Sequence, residues 1–238
     1  MARPLSLAAL VLACGLSTAA VAADPPAMPR LDLSDAEIDE RLGFLEERLD
    51  AARPTALAWQ WGWAGVFTVG LVFNTTWAVR ADDSDDRVRA IVDAAKSAIA
   101  TAEAWALFRD PLVATRGAQP MRDVAGDDRA ARLQRLAVGE SLLMTSVQQA
   151  DTRYDWSRHL VGIGTNLVGG AAILALGDSR DALQSTLIGI AVGEAQIWSQ
   201  PWRANGDLAA YRDRFPDADS TAWELRPRAD GVELAFRF

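Results

Sequence analysis

The sequence has little of the two residue types that most often carry metal or thiol chemistry. Its 238 residues include one cysteine, Cys14, and one histidine, His159. A lone cysteine excludes an intrachain disulfide. A lone histidine makes a zinc site only with several carboxylate ligands at suitable spacing, and none is visible around His159. We therefore predict no metal and no cofactor.

Positive charge is also limited and dispersed. The formal net charge is -8 and the pI is about 4.7, and Lys96 is the single lysine among 24 basic residues. Phosphate binding depends on clustered lysine and arginine side chains, and no such cluster occurs. Nucleic acid is therefore not an expected partner.

The N-terminal residues have the pattern of a secretory signal peptide. Arg3 precedes an apolar run, and Ala20-Val21-Ala22 has the small-residue spacing of a cleavage site. We predict that residues 1–23 are removed and that the protein is exported to the bacterial cell envelope. Val11 to Gly15 also resembles a lipobox, which would make Cys14 a lipidated first residue, so both forms of processing stay open.

An amphipathic helix is predicted over residues 31–53. Ser34 and Glu37 have the spacing of a capping box, and Pro54 is expected to end the helix because the residue before a proline is pushed out of the helical region. Apolar stripes indicate further helices over 88–105 and 133–154, each with its apolar side facing a neighbour. In the first of these the expected inner face is Val88, Ile91, Val92, Ala95, Ile99, Ala102 and Trp105.

Two stretches are almost free of charge. Residues 56–79 are predicted to form an apolar, tryptophan-rich helix, and residues 160–198 are predicted to form an antiparallel helical hairpin with a polar turn at 178–181. Small residues at every fourth position suggest that the two helices of the hairpin approach closely. The candidate packing and polar core residues are Gly162, Asn166, Gly170, Ser185, Gly189, Gly193 and Glu194.

Glu194 lies in the middle of an otherwise apolar helix, where an isolated carboxylate is costly. Counting outward from the turn places it level with Asn166. We expect Glu194 to be a structural anchor that is hydrogen-bonded to Asn166 or paired with Arg158 or Arg203. The alternative is a carboxyl group with a raised pKa, as in a proton relay.

Leu174 to Ser179 reads LALGDS and resembles the first block of GDSL-type esterases, which implies a nucleophilic serine at Ser179. That chemistry needs a histidine base after the serine, and His159 lies before it. We therefore interpret this stretch as a helix end and turn, and we predict no enzymatic activity.

The tail, residues 218–238, alternates apolar and polar residues around Asp230-Gly231, which predicts a β-hairpin.

Together these patterns predict a single mainly α-helical domain, residues 24–238. About six helices would surround the glycine-rich antiparallel hairpin, with a short C-terminal β-hairpin. The expected function is that of a non-enzymatic, membrane-associated structural or interaction protein of the cell envelope. Its expected partners are membrane lipid and either a partner helix or further copies of the chain. The alternative is a soluble periplasmic helical bundle that binds an apolar ligand such as a lipid.

Overall fold

The computed structural model describes residues 33–216, 223–228 and 231–236. These residues are mainly helical, which confirms the coarse prediction of a mainly α-helical bundle. The predicted signal peptide, with Cys14, lies outside the described residues. The helices are α1 (Asp35–Arg80), α2 (Ser84–Ala106), α3 (Gln119–Arg122), α4 (Arg129–Arg153), α5 (Trp156–Leu176), α6 (Ser179–Trp198) and α7 (Arg203–Arg214), with a 3-10 turn at Val113–Arg116.

Two strands follow the helices. Strand β1 (Trp223–Arg228) pairs antiparallel with strand β2 (Gly231–Phe236), with Trp223 opposite Phe236 and Arg228 opposite Gly231.

Helix α1 is continuous for 46 residues and contains Pro54. The predicted break between a helix at 31–53 and another at 56–79 is therefore wrong. Proline in a helix interior removes one backbone donor and crowds the preceding turn. Tertiary contacts on both sides of Pro54 outweigh that cost: Asp50 is tied to the loop before α3, and Ala56 and Trp59 are buried.

One half of the molecule, which we call the head, is a bundle of residues 33–55 of the α1 region with α3, α4 and α7. The apolar stripe of α1 faces this core. The predicted cap precedes it, since Ser34 accepts a hydrogen bond from the Glu37 amide at 3.2 Å. The core contains Leu33, Ile38, Leu42, Leu45, Leu49, Ala118, Met121, Leu133, Leu136, Leu143, Tyr211 and Phe215.

Asp50 fixes the loop that carries the chain from α2 into the head. Its carboxylate accepts hydrogen bonds from the Ala118 amide at 2.9 Å and from Arg122 at 2.9 Å. These interactions, with Arg122 as the largest contribution, lower the pKa of Asp50. Gly117 has a φ of 59°, and a Cβ there would lie 2.6 Å from the Asp50 carboxylate, so only glycine fits this turn.

The other half, which we call the apolar half, contains residues 56–80 of α1 together with α2, α5 and α6. Helix α2 packs against the other three helices of this half. It runs antiparallel to α1, because Asn74 bonds to Ser97 while Gln60 bonds to the carbonyl of Leu107. The four helices of the apolar half therefore join the head at the same end of this half. The short turns at residues 81–83 and 177–178 lie at its opposite end.

The connection between α5 and α6 has two residues, Gly177 and Asp178, and not the four that the sequence predicted. The Asp178 carboxylate accepts hydrogen bonds from the amides of Arg180 and Asp181, so α6 already begins at Ser179. Gly177 ends α5 with a φ of -148°, which is extended backbone. The shorter connection shifts the alignment of the two helices and changes which side chains meet.

Two described helical stretches are apolar and long enough to cross a membrane, judged by length and composition. They are Asp35–Arg80, which is α1, and Arg129–Leu176, which includes α4 and α5. The outer surface of the apolar half is covered by exposed apolar side chains. They are Val66, Val69, Val72, Phe73 and Val79 in α1, Ile91 and Trp105 in α2, Leu160, Val161, Leu167, Val168, Leu174 and Leu176 in α5, and Leu183, Leu187, Ile188 and Trp198 in α6.

Candidate functional site

Helix α2 turns Arg89, Asp93 and Lys96 inward, beside the buried Ala90, Val92 and Ala104, and it exposes two large apolar side chains. Ile91 and Trp105 are 46% and 45% exposed, whereas the side chains of Asp93 and Lys96 are only 16% and 15% exposed. The predicted inner face of α2 is therefore wrong for Ile91, Ala102 and Trp105, all of which are exposed. Sequence reasoning missed Arg89, Asp93 and Lys96, although their spacing of four and three residues defines a helix face opposite Ile91.

These side chains form what we call the charged cluster: Arg89, Asp93 and Lys96 of α2 with Asn166 of α5 and Asp181 and Ser185 of α6. At its centre, the Lys96 ammonium lies 2.7 Å from Asp93 and donates a hydrogen bond of 2.7 Å to the Ser185 hydroxyl. Ser185 in turn donates to Asp93 at 2.5 Å. Lys96 also donates to the side-chain amide oxygen (Oδ1) of Asn166 at 3.4 Å.

The cluster extends toward the turns through Arg89. This guanidinium lies 2.9 Å from Asp181 and 3.6 Å from Asp93. The two cations are thus matched by two carboxylates. Charge balance of this kind is the condition under which charged side chains are tolerated away from water.

Ser185 lies between two charged side chains. Its hydroxyl donates to Asp93, and Lys96 donates to this hydroxyl with Asp93 as counter-ion. Ser185 is only 3% exposed. The geometry links three helices through hydrogen bonds and ion pairs.

The predicted small residues of α5 and α6 occupy two kinds of position. A Cβ at Gly189 would overlap the amide of Asn166, and one at Gly170 would overlap the Thr186 hydroxyl, so both glycines lie at the helix contact. A Cβ at Gly162 or at Gly193 would meet nothing within 4 Å. The close approach is therefore confined to the half of the pair nearest the turn.

The predicted hydrogen bond of Glu194 to Asn166 and its predicted pairing with Arg158 or Arg203 are wrong. Its carboxylate lies 2.8 Å from Nδ1 of His159 and accepts a hydrogen bond from the Trp198 indole at 3.2 Å. The prediction assumed a longer turn, which displaced the alignment by about one helical turn.

The His159 and Glu194 pair forms the floor of what we call the aromatic pocket, which opens at the head end of α5 and α6. The pocket has a volume of about 410 Å³ and is lined by Tyr154, Trp156, His159, Ile163, Glu194 and Trp198. The Tyr154 ring packs edge-on against Trp198 at 5.0 Å and against His159 at 5.5 Å. Trp156 and Trp198 are 66% and 58% exposed, so two indoles flank an accessible opening.

A second, smaller cavity lies where the head meets the apolar half. It has a volume of about 40 Å³, and Leu49, Leu143 and Arg153 contribute to its walls. Burial, reinforced by the nearby charge of Arg158, lowers the pKa of the Arg153 guanidinium to about 10. Its guanidinium lies 5.9 Å from the centre of the Trp59 ring.

The structure separates the residues that the esterase resemblance would require. Ser179 is the first residue of α6, and His159 lies near the opposite end of α5, about 26 Å along that helix from its last residue. Within the described ranges, no three His, Cys, Asp or Glu residues come together in a group that could hold a metal ion.

Comparison with protein-family models, with curated proteins and with solved structures gives no significant match.

Proposed function

We propose that this protein is a non-enzymatic, membrane-associated structural or interaction protein of the bacterial cell envelope, with its apolar half embedded in the bilayer. The observation that supports this most directly is the inverted polarity of that half. Charged side chains of α2 face α5 and α6, while exposed apolar side chains face outward. A soluble bundle has the opposite arrangement.

The dimensions agree with a bilayer. Helices α5 and α6 have 21 and 20 residues, and each is about 30 Å long, which equals the usual hydrocarbon thickness. Exposed residues of α5 between 160 and 176 are all uncharged. At the head end, Trp61, Trp105, Trp156 and Trp198 are exposed, as tryptophans are at a membrane surface.

In this proposal the α5 and α6 pair, with glycines at its contact, is the centre of the embedded half, and the charged cluster joins α2 to it. The head provides a polar bundle at one membrane surface for structural or partner contacts. Export by a signal peptide would place the head outside the inner membrane. The soluble alternative has less support, because the exposed apolar side chains of the outer surface would then lie in water.

Extraction of membranes from cells that express the full chain tests the proposal. We expect the protein to stay in the membrane pellet at alkaline pH in sodium carbonate. Leu167→Lys places a charge on the outer surface at a cost of roughly 2.5 to 3.5 kcal/mol in a membrane, so it should reduce the amount of inserted protein. In a soluble bundle the same exposed position would change the free energy of unfolding by only about 0.5 kcal/mol.

Met144→Lys is the matched control, because Met144 is 57% exposed on α4 of the head. We expect this variant to insert normally. Release of the unmodified protein by carbonate, together with equal yields of the two lysine variants, would contradict membrane embedding.

A further inference from the structure

We propose that the aromatic pocket binds a quaternary ammonium group, and that this group is the head group of a choline-containing phospholipid. The lipid source of the ligand rests on the proposed membrane function, but the ammonium chemistry does not. The proposal combines three features of the pocket: aromatic walls, one carboxylate, and a position at the border between apolar and polar surface.

The walls supply the first feature. The aromatic side chains of Tyr154 after α4, Trp156 at the start of α5 and Trp198 at the end of α6 line the pocket. The faces of aromatic rings carry negative electrostatic potential and attract cations, and tryptophan does so most strongly. No lysine or arginine lines this pocket, so no cation of the described chain occupies the space between the rings.

Glu194 supplies the second feature. Its carboxylate is 28% exposed at the floor of the pocket. The ring nitrogens of His159 and Trp198 hold this carboxylate in place, and a carboxylate attracts a cation at short range. A cation in the pocket would therefore be attracted both by the rings and by this charge.

The type of ammonium follows from the hydrogen-bonding groups that remain. A primary ammonium needs three acceptors, and the Glu194 carboxylate already accepts bonds from two side chains. Apart from that carboxylate, the pocket walls are mostly ring faces and the aliphatic side chain of Ile163, with the Tyr154 hydroxyl and the His159 ring nitrogens as the other polar groups. A trimethylammonium group needs no hydrogen bond and presents methyl groups to the rings, so it matches this lining better.

The position of the pocket points to a lipid. Leu160 and Val161 follow His159 directly on α5 and are 52% and 62% exposed, which begins the apolar outer surface. The pocket therefore opens at the level where phospholipid head groups lie when the apolar half is embedded. A bound choline head group would place its acyl chains along that surface.

Calorimetric titration of the purified full-length protein in a choline-free detergent tests the proposal. The probes are choline, its neutral isostere 3,3-dimethyl-1-butanol, ethanolamine, and short-chain phosphatidylcholine and phosphatidylglycerol. We expect choline and phosphatidylcholine to bind in preference to the other three. If choline binds and phosphatidylcholine does not, the ligand is a free quaternary ammonium solute. That result would support the recognition of quaternary ammonium but contradict a lipid as its source.

Three variants locate the binding. Trp198→Leu and Trp156→Leu should each weaken choline binding roughly 2- to 30-fold, the range for a lost cation–π contact. Glu194→Gln should reduce the preference for choline over its neutral isostere. Trp61→Leu is the matched control: Trp61 is 57% exposed but packs against Trp105 and Phe108, away from the pocket, so binding should not change.

Thermal melting shows whether each variant is folded. Trp156→Leu is the least disruptive of the pocket variants, because Trp156 is the more exposed of the two indoles. Equal binding of choline and its neutral isostere, stronger binding of ethanolamine, or no binding of any probe to the folded protein would overturn the proposal. Membrane extraction is measured separately, so its outcome does not affect the choline result.

Discussion

At the residue scale, Asp93 joins the two cations of the charged cluster. It lies 2.7 Å from Lys96 and 3.6 Å from Arg89, and it accepts the hydroxyl proton of Ser185 in a hydrogen bond. Removal of one partner from a buried charge pair is more costly than removal of both, because it leaves an uncompensated charge.

Asp93→Asn should therefore reduce the free energy of unfolding of the full chain by about 3 to 5 kcal/mol. The double variant Asp93→Asn with Lys96→Met restores charge balance with Arg89 and Asp181 and should recover most of this loss. Thermal unfolding in detergent, followed by circular dichroism, measures both effects.

Glu103→Gln is the control for that series, since Glu103 is an exposed acid on the same helix. We expect a change within about 0.5 kcal/mol for it. Equal melting temperatures for Asp93→Asn and Glu103→Gln, or a double variant less stable than the single one, would show that the charged cluster is not coupled in this way.

The individual residues of this cluster were only partly predictable. Asn166 and Ser185 stood out in the sequence because they interrupt apolar helices. Asp93 and Lys96 did not, because α2 has apolar residues on its other faces and charged residues usually face solvent. Their inward direction depends on what surrounds the helix, which a single helical pattern does not specify.

At the element scale, the contact between α5 and α6 depends on particular glycines. Gly189 lies against Asn166, whose amide Cγ would be 2.6 Å from an added Cβ. Gly193 is one turn further along α6, in open space. The two positions have the same helical context and differ in what an added methyl group would touch.

Gly189→Ala should destabilise the protein because the Asn166 side chain must move, which also disturbs its contact with Lys96. Gly193→Ala should stabilise it by up to about 1 kcal/mol, the difference in helix propensity. The two variants serve as controls for each other in thermal unfolding of the full chain. Shifts of the same sign would contradict the assigned contact.

The existence of most helices could be predicted, because caps and apolar periodicity are local signals, and Ser34 and Asp178 cap their helices in the structure. Two element-scale errors have specific causes. Pro54 predicts a break by its local effect, whereas the contacts on either side of it keep the helix continuous. Ser179 to Asp181 are polar and therefore look like part of the turn, although they form the first turn of α6.

At the scale of the whole molecule, both hairpins of the apolar half begin and end at the head. Residues 33–55, 107–155 and 199–216 therefore lie at one end, and residues 81–83 and 177–178 lie at the other. In the proposed membrane-embedded form, this arrangement corresponds to four passes, of which α2 is one.

Cysteine labelling in intact cells tests this sidedness. In a Cys14→Ser background, single cysteines at Glu47, Thr152 and Arg212 should react alike with a membrane-impermeant maleimide. Cysteines at Asp82 and Arg180 should show the opposite accessibility. Labelling of Glu47 and Arg212 from opposite sides, or of all five positions equally, would contradict the proposed arrangement.

Helix α1 links the two halves of the molecule without a joint. Its 46 residues form a rod of about 69 Å, so a tilt of roughly 10° about one end would displace the other end by about 12 Å. Because residues 35–80 form one helix, such a rigid tilt of the head would also displace Arg80 at the far end. The turn at residues 81–83 and the ion pair of Arg89 with Asp181 lie at that end.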